Sequence, residues 1–176
     1  MKNYIYTVFL LGLTLGFQSC SENADPRFFV DVERNFEVNS SLNSVVTHFF
    51  ELKNVPTNLN QNLDIFGMSR DEITSINPGD ATITNATGIM DWSLVNSVEI
   101  YAISRSNPDL RRQIFYIRER DPGNSQSVRL FNTFADMSEI MEEETMDLEV
   151  RITTIVSVPG NFLARLTFNY AVFDEI

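Results

Sequence analysis

The sequence predicts a mainly β protein, an antiparallel β-sandwich with one short helix. Three observations carry that expectation. Apolar and polar residues alternate with a period of two through segment after segment, the pattern of strands with one buried face. Clusters of Asn, Asp, Pro and Gly cut the chain at short intervals, as turns do. A parallel α/β sheet would need strands alternating with long helical stretches, and the sequence has no such alternation.

Taken in order, Phe28, Val30 and Val32 share one face against Phe29, Asp31 and Glu33, which makes a strand. Residues 45–52 are a β-branched and aromatic run, a second strand. The Asn- and Pro-rich residues 54–62 read as a loop. Ser69-Arg70-Asp71-Glu72 has the spacing of a capping box and starts a short helix, which Asn77-Pro78-Gly79-Asp80 ends as a turn. A short strand follows at 81–83, closed at 85–88, and 91–96 makes a single helical turn. Over 97–104, Val98, Ile100 and Ala102 alternate with Glu99, Tyr101 and Ile103.

A turn at Asn107-Pro108 leads to a strand at 113–119, a turn at Asp121-Pro122-Gly123-Asn124 and a short strand at 128–131. Residues 133–144 carry Phe134, Met137, Ile140 and Met141 at helical spacing, so the helix is expected there. Residues 147–157 put Leu148, Val150, Ile152, Thr154 and Val156 on one face. After Val158-Pro159-Gly160-Asn161, residues 162–173 answer with Phe162, Ala164, Leu166, Phe168, Tyr170 and Val172, and the two segments read as a hairpin. Roughly seven or eight strands result, a layout similar to immunoglobulin-like, fibronectin-III-like and water-stress-associated sandwiches, from which no function follows.

The first twenty residues differ in kind. Lys2 precedes an apolar run over residues 4–17, about 14 residues where a bilayer span needs about 20. The run ends at Gln18-Ser19-Cys20, and Ser21-Glu22-Asn23-Ala24-Asp25-Pro26 is at once polar and acidic. This segment resembles a class II, lipoprotein-type signal peptide. The resemblance implies cleavage before Cys20, a diacylglycerol on its thiol and a palmitate-like acyl chain on the new amino group. Phe17 and Gln18 stand where the familiar motif has Leu and a small residue, a relaxed form, and Ser19 fits. Ser21, where an inner-membrane retention signal has Asp, implies the outer membrane. Glu22 and Asp25 match part of the acidic tag of surface-exposed lipoproteins. The expected organisation is a signal peptide over 1–19, a tether over 20–26 and one sandwich domain over 27–176.

Residues 1–19 carry a single charge, Lys2, so what remains holds 12 basic and 24 acidic side chains, a net −12. So acidic a surface is a poor partner for nucleic acid and for anionic lipid. Cys20 is the sole cysteine, which excludes an intramolecular disulfide. His48 is the sole histidine and shares a face with Val46, Phe50 and Leu52, as a core or edge residue would. No metal and no cofactor are expected: Glu142-Glu143-Glu144 with Asp147 lacks the alternating ligands and Gly turn of a calcium loop and reads as a solvated face.

No nucleophile elbow, Walker loop, dinucleotide glycine pattern or His-Glu-x-x-His is present. Trp92, the sole tryptophan, is a weak ligand-binding candidate: exposed, it would stack on a sugar, and buried, it is core. Tyr101, Phe115 and Tyr116 lie in strands and could form an aromatic patch. The function expected is a non-catalytic binding or structural role in the bacterial cell envelope, held by its lipid anchor and in contact with an envelope protein. The alternatives are a carbohydrate-binding accessory lipoprotein using Trp92, or a glycosidase built on two cleft carboxylates.

Overall fold

The computed structural model describes residues 25–40, 42–44, 46–87, 91–118 and 126–174. Among them the chain forms eight strands: β1 (Phe28–Val38), β2 (His48–Pro56), β3 (Ile73–Thr87), β4 (Val95–Ile103), β5 (Arg111–Ile117), β6 (Ser127–Asn132), β7 (Thr145–Thr154) and β8 (Phe162–Asp174). Two short helices join them, α1 (Leu59–Phe66) and α2 (Ser138–Met141). The strand order is β1-β8-β3-β6-β5-β4-β7-β2, and the pairing is antiparallel throughout.

Two four-stranded halves make up this order, β1-β8-β3-β6 and β5-β4-β7-β2. Among the described residues, the strand pairs Phe115↔Asn132 and Tyr116↔Phe131 join them. Their inward faces meet in one apolar core, where Phe115 of β5 packs edge-on to Phe168 of β8 at 5.6 Å. The expected mainly β, antiparallel sandwich is the fold. Its pairs nest: first strand with last, second with seventh, third with sixth, fourth with fifth. A long antiparallel hairpin rolled up on itself has this connectivity, which is that of a jelly roll.

The period-two faces are as expected. Phe28, Val30 and Val32 are buried, as are Val98, Ile100 and Ala102, and the whole inward row of β8 from Phe162 to Val172. The segments expected to form a late hairpin do not pair. β7 lies between β2 and β4, while β8 lies between β1 and β3 in the other half. Periodicity states which face is buried and is silent about which strand lies alongside.

Three local expectations are also corrected. Residues 59–62, the end of the stretch read as loop, begin α1: Leu59 and Leu63 are buried one turn apart, and Gly67 (φ 64°) lets the Met68 N–H reach the Leu63 carbonyl at 3.0 Å. Asn77-Pro78-Gly79-Asp80 is a bulge inside β3 where the register shifts between Pro78 and Ala81. The Asn169 side chain fills that bulge and accepts the Asp80 N–H at 2.8 Å; a Cβ on Gly79 would stand 2.0 Å from its oxygen. The helix over 133–144 shrinks to the single turn of α2. Met137 N–H bonds the Ile76 carbonyl at 2.8 Å, and Asp136 accepts the Ile76 N–H at 3.2 Å, so the chain is held against β3 and no helix begins before Ser138. Phe134, expected on the helix face, is 93% exposed. The turn over 121–124 lies outside the described residues. The capping box over 69–72 is present, but on one 3-10 turn, Arg70–Glu72.

Antiparallel order makes β1, β3, β5 and β7 begin at one end of the sandwich, where the even strands finish. That end receives the chain at Asp25–Arg27. It also carries α1, the 104–110 connection and α2. Thr57, buried, ties it together. Its N–H bonds the Glu144 carbonyl at 2.9 Å, its hydroxyl donates to the Glu143 carbonyl at 2.9 Å, and its own carbonyl accepts the buried Tyr170 hydroxyl.

Tyr170→Phe removes that hydroxyl and strands a buried carbonyl, so it should destabilise the protein by about 1–3 kcal/mol. Urea unfolding followed by Trp92 fluorescence measures this. The expected result is a lower midpoint at unchanged slope; an unchanged midpoint would show the bond to be dispensable.

A candidate binding cleft at the N-terminal end

The same end holds a cleft of about 710 Å³. α1 supplies Leu59 and Asn60, the 3-10 turn supplies Arg70 and Asp71, β3 supplies Ile73 and Ile76, and the α2–β7 segment supplies Ser138, Glu142 and Glu144. The floor is apolar, because Leu59 and Ile76 belong to the core. The rim is charged. Arg70 is fixed across it, its Nε and Nη2 donating to the Asn60 Oδ1 at 3.0 and 2.8 Å. Its turn is locked by the Ser69 N–H donating to the Glu72 carboxylate at 2.6 Å. A cation, three carboxylates and an apolar floor suit a small ligand with both polar and apolar parts.

Glu143, read from the sequence as part of a solvated acidic face, has a structural task. Its carboxylate accepts the Ser104 hydroxyl, the Ser106 hydroxyl at 2.8 Å, and the Arg105 and Ser106 N–H groups at 3.2 Å each. These bonds, that from Ser104 foremost, hold its carboxyl below the ordinary glutamate range. Asp147 accepts the Asn54 N–H at 2.9 Å and pairs with Lys53 at 3.2 Å. Glu143 thus ties the 104–106 segment to the α2–β7 segment, and Asp147 ties β7 to β2. Among the described residues no three His, Cys, Asp or Glu side chains converge as a metal site would require.

A second surface is the outer face of β5-β4-β7-β2. The Tyr101 ring lies between the guanidinium groups of Arg111 (4.1 Å) and Arg151 (4.6 Å). Glu149 accepts from Arg111 and, at 2.6 Å, from Arg151 Nε. Burial pushes the Glu149 carboxyl upward, but the two guanidiniums outweigh it and its pKa falls below the ordinary range. Glu99 accepts the Tyr101 hydroxyl at 3.1 Å and pairs with Arg118 at 3.4 Å. Exposed Phe49 completes the row, 5.1 Å from Arg151. Strand register makes this lattice: Glu99 faces Arg151, and Tyr101 faces Glu149.

The structure disperses the residues singled out in the sequence. Trp92 is fully buried, edge-on to Phe162 at 5.4 Å, in a 3-10 turn at the opposite end. Its ring is enclosed, which is the core reading of the two the sequence leaves open. His48 is half-buried at the start of β2, its Nε2 2.8 Å from the Asn43 carbonyl. Phe115 is core. Cys20 and the signal segment lie outside the described residues. The cleft went unseen because its walls come from segments far apart in sequence; the capping box at 69–72 was its one local mark.

No family model and no curated protein matches the chain. Among solved structures, it is similar to "Structure of infectious bursal disease virus Gt strain" at a TM-score of 0.34 and 14% identity, covering 84% of this chain and 41% of that one. It is also similar to "Structure of Empty Head Turnip Yellow Mosaic Virus" at 0.28 and 8%, covering 86% and 84%. For "Desmodium yellow mottle tymovirus" the values are 0.27 and 9%, covering 85% and 90%. Likeness at this level says nothing of what the chain does.

The depressed carboxyls of Glu143 and Glu149 carry a sign. A carboxyl whose pKa is lower folded than unfolded stabilises the fold fully above its ordinary value of 4.5, and that share is lost as pH falls through the lower folded value. The urea midpoint should therefore hold from about pH 7 to about pH 5 and fall below that. Glu143→Gln should lower the midpoint at neutral pH and reduce the acid-side fall. An unchanged acid limb would overturn this role of Glu143.

Proposed function

We propose that the chain is a lipid-anchored lipoprotein of the bacterial cell envelope, with a non-catalytic binding role at its outer membrane. One observation carries the reading: the apolar run over residues 4–17 stops at the sole cysteine, Cys20, and eight residues later β1 begins. A tether of that length, at no more than ~3.5 Å per residue, holds the N-terminal end of the sandwich within roughly 30 Å of the bilayer. Two or three acyl chains, at about 0.8 kcal/mol per buried CH2, anchor it firmly. The cleft lies at that same end, so whatever it takes up is met close to the membrane. An envelope protein is the partner this placement favours.

Cys20→Ser should move the protein from the membrane to the soluble fraction and abolish labelling by an alkyne fatty acid. A wild type that is soluble and unlabelled would refute the anchor. Crosslinking in intact cells, read by mass spectrometry, should return a reproducible envelope protein.

A second reading is favoured by Asp71, Glu142 and Glu144 lining one cleft: a carboxylate-based glycosidase, which needs two carboxyl groups facing its substrate. Under the binding reading, purified protein leaves a glycan panel unhydrolysed. Turnover lost in both Glu142→Gln and Glu144→Gln would instead establish the glycosidase.

A further inference from the structure

We infer that Ile65 and Phe66, at the end of α1, and Phe29, at the start of β1, form an apolar foot that rests in the headgroup–acyl boundary of the bilayer. The inference deepens the anchor reading and rests on it. The domain would then be held in one orientation, with α1 toward the lipid.

Position comes first. Phe66 stacks flat on Phe28, ring centroids 4.5 Å apart and planes within 2°. Phe28 is the first residue of β1, eight residues after Cys20. The end of α1 therefore sits where the tether enters the domain. Exposure comes second. Leu59 and Leu63 face the core, whereas Ile65 is 68% exposed, Phe66 45% and Phe29 54%. The exposed Val46, Ile155 and Val156 lie at the far end of the sandwich, an 11-residue strand away, or about 36 Å at ~3.3 Å per residue. With the sandwich upright on the α1 end, they stand that far from the lipid.

Charge selects the occupant. The chain carries 24 acidic residues, yet from Asn54 to Ser69 its only charged side chain is Asp64. Asn58, Asn60, Gln61 and Asn62 are polar but neutral. An acidic protein is pushed from a lipid surface wherever its carboxylates lead. With Asp64 as its single carboxylate, this segment meets little of that repulsion. A short helix with an apolar tip and a neutral polar side is suited to lying in an interface, not crossing it.

The test uses full-length lipidated protein in phosphatidylcholine vesicles with acyl chains brominated near the headgroup. An environment-sensitive fluorophore is attached at Ile65→Cys or, as control, at Val156→Cys; the Cys20 thiol is occupied by lipid. Quenching at position 65 should be roughly threefold greater than at position 156, as expected for shallow burial. Equal, weak quenching at both positions in fatty-acid-labelled protein overturns the foot and leaves the anchor standing. Protein that takes no fatty-acid label and does not float with the vesicles overturns both. A blue-shifted probe at position 65 that lipid does not quench, with emission dependent on protein concentration, makes a second copy of the chain the occupant and overturns the lipid assignment.

Discussion

The pairing of β1 with β8 is the constraint on which the rest of the sandwich depends. Eleven consecutive residues, Phe28 to Val38, lie against Val172 to Phe162, so the first described strand cannot find its place before the last is present. The β2–β7 and β3–β6 pairs nest inside it, and only β4–β5 is a local hairpin. Such a fold closes long loops before its contacts repay them, which predicts slow, late-committing folding. It also leaves two edges, β1 and β2. They face each other: Arg34 donates to the Asn54 carbonyl at 3.1 Å, and Phe36 meets Phe50 at 5.3 Å. Each edge is shielded by the other, which limits unwanted strand addition.

Rolling the nested hairpin gathers connections from distant parts of the chain at one end, and hydrogen bonds between them, that of Tyr170 fully buried, make that end a unit. Thr57 bonds backbone from the α2–β7 segment while Tyr170 reaches it from β8. Glu143 then takes four donors from the 104–106 segment. The result is a platform of loops with a network of its own beneath the cleft. Loops supported in this way can hold the shape of a site that strands alone would not make.

How much of this was legible follows from what kind of signal each feature leaves. Strand faces are written in the period of two, and β1, β4 and β8 could be read from Phe28, Val98 or Phe162 onward. Partners are not written there, since the same alternation serves any neighbour; hence the false hairpin of β7 with β8. Pro78-Gly79 looked like a turn because the residues of bulges and turns are the same, and only the Asn169 side chain, 90 residues away in sequence, decides between them. The residues at 133–137 have a helical stripe, but bonds to Ile76 outweigh that local preference. Trp92 could have served either role by type; burial beside Phe162 decided it.

The two outer surfaces of the molecule differ in what they leave open. On the β5-β4-β7-β2 face, Arg111, Arg151, Glu149 and Glu99 satisfy one another around Tyr101, so a partner docking there must match an already neutralised lattice. Breaking those pairs would cost more than it returned, because a charge left unpaired under a partner loses water without replacement. At the N-terminal end an apolar floor, a fixed arginine and carboxylates from two segments meet at an open cleft. The chain enters the domain at that same end, so the cleft and the start of β1 lie together.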